Sequence, residues 1–570
     1  MPAFLDTYAS WMIQELVAHG VKYFCLAPGS RSTPLVLAVN EHPLAHTFVH
    51  FDERALAFHA LGYSKVTREP SVIIVTSGTA VGNLLPAIME AHASCIPLLI
   101  LTADRPQELQ ECGANQATNQ EGIFHNFVRW QLTMPHPEKN LPCAYLKTTL
   151  AHAVFKTKGP HPGPVHLNCQ FREPLFLKPP SYPENYNPQP PYTSVIPTKQ
   201  HLSEEDCQKI AYTLNKSSDG LILVGYEAFH REPIAHFCEF ADKLQWPIFQ
   251  DILSGLEHHP LSVEAFDFIL RFFEETPTPQ CIVHFGGGFV SKHLLNFLKK
   301  IACPHYLHIS PYPTRQDPSH LVSHRIHMQP LNFCEQLTPH LKKKTNKNTL
   351  WQEISSSLQE EISSFLDTKK LFTEPHLFHL LSRCNLSHYA LFLASSMPIR
   401  DASHFLHRKP KHLYGNRGLS GIDGNIATAI GIASALAMPL LAILGDQTFL
   451  HDLTSLAQIK TLKHPLKILL FNNGGGAIFT HLPIYEKKEV CDQYFIASHS
   501  LQFEAIAKLF SLDYFRYTDL ENLEKDLPSL LLSPQHSLIE CLTSKEENLT
   551  TRETLHNHVM TYAKHILLRA

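Results

Sequence analysis

At 570 residues and roughly 150 per domain, the chain has room for three to four domains, which excludes a single small binding module. Its 44% hydrophobic and 18% charged residues match an ordinary folded enzyme and exclude a disordered or fibrous chain. Lys plus Arg number 48 against 52 Asp plus Glu, a formal charge of -4, and no long basic block provides a nucleic-acid footprint.

In chain order, Leu5, Tyr8, Met12 and Leu16 fall at helical spacing, and Asp6 and Glu15 stand where a signal peptide would carry basic residues, so the N-terminus reads as an amphipathic helix. Strand-length apolar runs at 72–75 and 98–101 alternate with helical patterns. Prolines at 174, 179, 180, 183, 188, 190, 191 and 197 then break any helix or central strand and predict an interdomain connection. A second block repeats the alternation with runs at 221–224 and 281–285, and the polar run Lys342 to Asn348 separates it from a third with runs at 390–393, 440–444, 468–471 and 538–541. The expectation is an α/β chain of three domains, each a mostly parallel sheet flanked by helices: 1–180, a Pro-rich linker at 181–197, then 198–345 and 346–570. The most apolar stretch, Ala429 to Leu444, is interrupted by Ser434 and Pro439 and falls short of the about 20 residues that span a bilayer. A cytoplasmic protein without a membrane span is expected. The 13 cysteines are odd in number and form no CxxC, which disfavours disulfide frameworks and structural zinc. The 38 histidines do not cluster at ligand spacing.

Ligands in open α/β sheets bind beyond the carboxyl ends of strands. One predicted strand ends in Gly445-Asp446-Gln447, and the next in Asn472-Asn473-Gly474-Gly475-Gly476. Asp446, the Asn473 side chain and the Gly475 carbonyl would suit Mg2+ or Mn2+, a hard cation that takes one or two protein carboxylates together with substrate phosphates. Glycines there let backbone approach a diphosphate. On this pattern alone, two ordinary glycine-rich turns explain the residues as well.

The pair of strand ends resembles the thiamin-diphosphate motif of the decarboxylase and carboligase superfamily, in which GDG is followed after about 25 residues by NN; Gln447 replaces the third residue of that pattern. That superfamily also carries an early glutamate, and Glu53 in Phe51-Asp52-Glu53-Arg54 matches it, although a lone Glu at a helix start is commonly a dipole-favoured cap. The strings at 27–35 (APGSRSTPL), 76–83 (TSGTAVGN), 102–106 (TADRP), 113–117 (GANQA) and 415–424 (GNRGLSGIDG) resemble, within that superfamily, the MenD family of the menaquinone pathway. The likeness runs essentially from end to end and is weakest in the middle block.

The resemblance implies thiamin diphosphate with Mg2+ or Mn2+, and a transferase that decarboxylates 2-oxoglutarate and adds the succinyl unit to isochorismate in a 1,4 sense. It implies Glu53 as the catalytic residue; Gly78, Asn83, Ser420, Ile422, Gly445, Asp446, Gln447, Asn473 and Ile478 around the cofactor; and Asp446, Asn473 and Gly475 on the metal. Ile422 would prop the cofactor, though an ordinary core isoleucine reads the same way. Ser30, Arg31, Arg105, Gln116, Lys292, Ser396, Arg400 and Arg417 would meet the substrates, whose paired carboxylates call for guanidinium forks. The DRP turn can use Arg105 structurally, and His293 stands where the family often has a second basic residue. A homodimer or homotetramer follows, with the cofactor shared between subunits. An acetolactate-synthase-like carboligase using pyruvate and a non-catalytic cofactor-binding paralogue are the competing readings.

Overall fold

The computed structural model describes residues 2–175, 182, 186–229, 233–272, 278–345 and 350–567. Residues 176–181 and 183–185 of the expected linker and 346–348 of the polar run lie outside that set; 186–203 carry no helix or strand. By contacts the chain forms two compact units.

The first unit comprises Met1–Pro197, Asn416–Leu440 and Thr448–Leu466. Its strands are β1 (Tyr23–Leu26), β2 (His46–Val49), β3 (Ser71–Val75), β4 (Leu98–Asp104), β5 (Trp130–Met134) and β6 (Pro164–Gln170), in the order β2-β1-β3-β4-β6-β5. The pairings are parallel, with Val72 opposite Leu99 and Phe24. β3 and β4 are buried throughout because both faces are covered. Val72, Ile74, Leu99 and Leu101 point into one apolar cluster with Tyr8, Met12 and Leu16 of the N-terminal helix Pro2–Ala18. Ile73, Val75, Leu98 and Ile100 point into the other, with Leu56, Ala60 and Leu61. The latter three belong to the helix Glu53–Thr67, which packs on the helix Asn425–Leu436. Glycine permits the close approach: a Cβ on Gly62 would lie 2.2 Å from the Thr428 carbonyl oxygen, and one on Gly431 would lie 2.1 Å from that of His59.

The second unit comprises Thr198–Gly415, Leu441–Gln447 and Lys467–Ala570 and holds two further sheets. One runs β11-β10-β9-β7-β8, from β7 (Gly220–Val224), β8 (Ile248–Gln250), β9 (Cys281–Phe285), β10 (His305–Ser310) and β11 (His324–His327). The other runs β13-β12-β14-β15-β17-β16, from β12 (Ala390–Leu393), β13 (Leu413–Tyr414), β14 (Leu440–Gly445), β15 (Leu466–Asn472), β16 (Asp513–Tyr517) and β17 (Ser537–Leu542). Leu221 and Leu223 of β7 share one continuous core with Leu391, Leu393, Leu441 and Ile443, bridged by Ile354, Leu358 and Ile362 of the helix Leu350–Thr368. That shared core makes one unit of the two sheets. The α/β expectation of three parallel sheets flanked by helices therefore holds. The apolar stretch Ala429 to Leu444 is a helix end followed by β14, and no helix among the described residues is long and apolar enough to cross a membrane.

Candidate active site

In the first unit, the chain leaves β2 and enters the helix Glu53–Thr67 through His50, Phe51 and Asp52. Asp52 is the cap: its carboxylate accepts the Arg54 and Ala55 N–H groups at 3.0 and 3.2 Å and the Thr454 hydroxyl at 2.6 Å. Burial acts to raise the Asp52 pKa, but these donors and the Arg54 charge outweigh it and hold the carboxyl below its ordinary value. Glu53 is thereby relieved of capping. Its Oε2 accepts a single hydrogen bond, from Asn83 Nδ2 at 3.3 Å, and it remains half-buried.

Asn83 closes the one-turn helix Thr79–Gly82 that follows β3 and Gly78. Gly78, at φ +83, donates its N–H to Gln120 Oε1 at 3.1 Å. Ser77 donates to the Gln116 carbonyl at 3.0 Å, Gln116 Nε2 returns a bond to the Ser77 carbonyl at 3.0 Å, and Arg105 donates to the Ser77 hydroxyl. The structure thus brings Gly78, Arg105 and Gln116 together at the carboxyl ends of β3 and β4. Burial and the nearby Arg31 charge lower the Arg105 pKa. Arg31 is itself buried, bonded to the Phe171 carbonyl at 3.0 Å and to Glu173 at 3.1 Å, with Nε lacking a partner. Ser30 lies exposed in the loop after β1.

The loop 416–424 is shaped by Glu90 of the helix Leu85–Ala93. This buried carboxylate accepts the N–H groups of Gly418 and Leu419 at 2.8 and 2.7 Å and the Ser94 hydroxyl at 2.8 Å. Arg417 is half-buried and makes no hydrogen bond or ion pair among the described residues; Ser420 sits at φ +61 and Ile422 is half-buried rather than core.

In the second unit, β14 and β15 place their ends together. Asp446 is 2% exposed. Its Oδ1 accepts the Gln447 N–H at 2.6 Å, and its Oδ2 accepts those of Asn473 at 3.2 Å and Gly475 at 2.9 Å, with His499 Nε2 3.4 Å away. Burial raises the Asp446 pKa, and His499 and the N–H donors oppose that shift. Asn473 donates Nδ2 to Glu374 Oε1 at 2.8 Å, which leaves its Oδ1 buried with no partner. Gln447 is anchored to the Ile496 carbonyl at 2.8 Å, and Ile478 is half-buried in the turn Ala477–His481. A Cβ on Gly445 would meet nothing within 4 Å, so the protein's own packing does not call for glycine there. A buried carboxylate, an unsatisfied amide oxygen and open space beside glycine fit a hard cation and an anionic group. Among the described residues no group of three or more His, Cys, Asp or Glu is placed to hold a metal ion.

Ser396 follows β12 at φ +77 and leads into the helix Met397–Phe405, where Arg400 donates to the Ser396 carbonyl. Gln116, Ser396 and Ser420 all hold a backbone conformation unusual for non-glycine residues, which costs about 1–3 kcal/mol each and concentrates at functional sites. Lys292 is the exposed first residue of the helix Lys292–Lys300. His293 beside it has its pKa pushed down to about 4 by burial and by the Arg271 charge, so it is neutral near pH 7. Sequence reasoning missed Glu90 and Glu374, since neither stands in a motif and their partners lie 328 and 99 positions away.

Three family models match the chain: the N-terminal TPP binding domain of thiamine pyrophosphate enzymes at residues 6–125, the middle domain at 186–393 and the C-terminal TPP binding domain at 396–541. A 2-succinyl-5-enolpyruvyl-6-hydroxy-3-cyclohexene-1-carboxylate synthase of Rubrobacter xylanophilus is 36% identical over 556 residues, 95% of this chain and 96% of that protein. A synthase of the same name from Chlorobium phaeobacteroides is 34% identical over 94% of this chain and 95% of its own length. Protein PHYLLO of Arabidopsis thaliana is 33% identical over 98% of this chain, a match that covers 35% of that longer protein.

Proposed function

Since the chain belongs to the family of 2-succinyl-5-enolpyruvyl-6-hydroxy-3-cyclohexene-1-carboxylate synthases, we propose that it decarboxylates 2-oxoglutarate and transfers the succinyl unit to isochorismate by 1,4-addition, in menaquinone biosynthesis. Thiamin diphosphate, when bound, supplies an acidic thiazolium carbon and the electron sink that a nucleophilic carbonyl carbon requires. The protein's part is to bind, orient and hold protons.

The observation that carries the reading is the division of labour between Asp52 and Glu53. A carboxylate that caps its helix is committed to backbone donors, whereas among the described residues Glu53 keeps one oxygen free and the other on Asn83. It is therefore able to share a proton with the cofactor's aminopyrimidine ring nitrogen, donating to that nitrogen when the carboxyl is protonated and accepting from it when the ring carries the proton. Asp446, Asn473 Oδ1 and the Gly475 carbonyl would hold Mg2+, or Mn2+ in its place, against the diphosphate. Gly78, Ser420, Ile422, Gly445, Gln447 and Ile478 would complete the cofactor's surroundings. Arg31, Arg105, Arg400, Arg417 and Lys292 would receive the substrate carboxylates, with Ser30, Gln116 and Ser396 donating or accepting beside them. The unpartnered Arg31 Nε supports a cationic pocket short of one acceptor.

The active species is a homodimer or homotetramer in which a second copy completes each site, and the protein works in the cytoplasm. The domain limits are 1–180, 198–345 and 346–570 around a linker at 181–197. Incubation with isochorismate, 2-oxoglutarate, thiamin diphosphate and Mg2+ should yield the succinyl cyclohexene carboxylate, identified by mass and NMR. Replacement of 2-oxoglutarate by pyruvate removes only the distal carboxylate, and kcat/KM should fall by at least about 3 kcal/mol in transition-state terms, the scale of unpairing a desolvated charge. Equal efficiency with pyruvate would overturn the assignment in favour of an acetolactate-type carboligase.

A further inference from the structure

We propose that Glu374 is a positioning residue for the cation site: it fixes the Asn473 carboxamide so that the oxygen, not the nitrogen, faces the metal. The inference rests on the reading of Asp446 and Asn473 as cation ligands.

Glu374 opens the helix Glu374–Arg383 and is 2% exposed. Its Oε1 accepts Asn473 Nδ2 at 2.8 Å and Asn548 Nδ2 at 3.0 Å, and its Oε2 accepts Arg552 Nη2 at 2.8 Å. Its own N–H is held by Asn548 Oδ1 at 2.8 Å. Arg552 is held in turn by Asp401, through Nη2 to Oδ2 at 2.5 Å and Nε to Oδ1 at 3.2 Å. The two ends of an asparagine amide have nearly the same shape, so its neighbours decide which way it faces. A carboxylate accepting from a guanidinium and two amides offers acceptors only, so Asn473 must turn its NH2 toward Glu374. That leaves Oδ1, buried and unsatisfied, as the free atom of the side chain. A charge behind the amide also draws its donor end and makes the far oxygen a stronger ligand, the usual effect of an outer partner on a metal ligand. Among the described residues no donor meets that oxygen, and a buried acceptor left unfilled is costly.

The arrangement makes a reciprocal prediction. Glu374→Gln places an amide between Asn473 and Arg552: with its oxygen on Arg552, its NH2 meets the Asn473 NH2 unless that carboxamide turns over and withdraws its oxygen from the cation side. Asn473→Asp places one carboxylate against another. The combined Glu374→Gln/Asn473→Asp exchange restores donor to acceptor at that contact, with the introduced amide nitrogen facing the introduced carboxylate and the amide oxygen facing Arg552.

The test is Mn2+ binding to the full chain in the presence of thiamin diphosphate, followed by electron paramagnetic resonance, with thermal midpoints recorded alongside and Asp446→Ala as reference. Glu374→Gln should weaken Mn2+ binding by about 10- to 100-fold, Glu374→Asp should weaken it in the same direction by withdrawing the carboxylate one methylene, and the exchanged pair should bind better than either of its single variants. A role in folding alone would lower the midpoints without that recovery. Wild-type Mn2+ affinity in both Glu374 variants, alongside lost binding in Asp446→Ala, would overturn the positioning role and leave the cation site standing. Unchanged binding in Asp446→Ala would overturn the cation site itself. Should Glu374→Gln not fold, Glu374→Asp and the exchanged pair decide the question.

Discussion

Two carboxylates read from the same sequence are held in opposite ways. Glu53 stands at the open start of a helix with one amide partner, because its neighbour Asp52 takes over the backbone donors. Asp446 is buried beneath N–H groups from three residues and lies beside an asparagine wired through Glu374 to Arg552 and Asp401. The contrast fits the role proposed for each group. A carboxylate that exchanges a hydrogen bond and a proton with a ligand must keep a lone pair accessible, and fixed donors would compete for it. One that ligates a cation must be rigid and must have its oxygens aimed before the ion arrives, which a ring of backbone donors ensures.

The largest effect should come from breaking the first arrangement. Glu53→Gln keeps shape and the Asn83 contact but cannot hold a proton, so turnover should fall by a factor on the order of 100 to 10,000, with thermal midpoint and thiamin diphosphate affinity close to wild type. Steady-state kinetics beside a binding titration checks this, and retained turnover would remove Glu53 from the chemistry. Asp446→Ala should behave in the reverse manner. A cation held as proposed would lose its carboxylate ligand, a loss on the order of 2–5 kcal/mol by comparison with truncation of buried charged pairs. The Gln447, Asn473 and Gly475 N–H groups lose their acceptor at about 1–3 kcal/mol in folding for a buried group left unpaired. A titration of thiamin diphosphate at fixed Mg2+ and a chemical unfolding curve should both move. If only the catalytic rate changed, the two carboxylates would not differ in kind.

The fold was legible where a pattern is local. The runs at 72–75, 98–101, 221–224 and 440–444 lie within β3, β4, β7 and β14, because a strand covered on both faces must be apolar at every position. The helix start at Glu53 and the paired strand ends at Asp446 and Asn473 were legible for the same reason. What stayed hidden is made by distant segments. Glu374 meets Asn473, Asn548 and Arg552 across 99, 174 and 178 positions, and Glu90 reaches Gly418 across 328. No spacing rule encodes such contacts. Nor does composition reveal that Gln116, Ser396 and Ser420 carry positive φ, since serine and glutamine have no sequence signature for it. Capping was the subtler case: adjacent Asp52 and Glu53 could each have served, and only the hydrogen bonds assign the task to Asp52.

The histidine excess, which no motif absorbs, separates the regions least and gives the smallest effect. His59 in the first unit stacks on Phe48 with ring centroids 3.4 Å apart and bonds the Tyr23 hydroxyl at 2.8 Å; His284 in the second bonds the Gly287 carbonyl at 2.9 Å and the Tyr306 hydroxyl at 3.1 Å. Burial pushes each ring pKa down to about 3, with a neighbouring histidine adding to the shift. Between pH 6.5 and about 3 the unfolded chain therefore takes up a proton that the folded chain refuses. The unfolded state binds more protons, so stability rises with pH. The contribution of each ring is whole above pH 6.5, declines by about 1.4 kcal/mol per pH unit below it and is spent near pH 3. His59→Phe keeps the stacked shape and gives up one hydrogen bond, worth about 1 kcal/mol. Its unfolding free energy should then depend on pH less steeply than that of the wild type, by about 1.4 kcal/mol per unit between pH 6 and 4. Denaturant unfolding of the two proteins at several pH values in that window measures the difference. Parallel pH dependences would show that His59 is charged in the folded state and that its burial does not govern its proton.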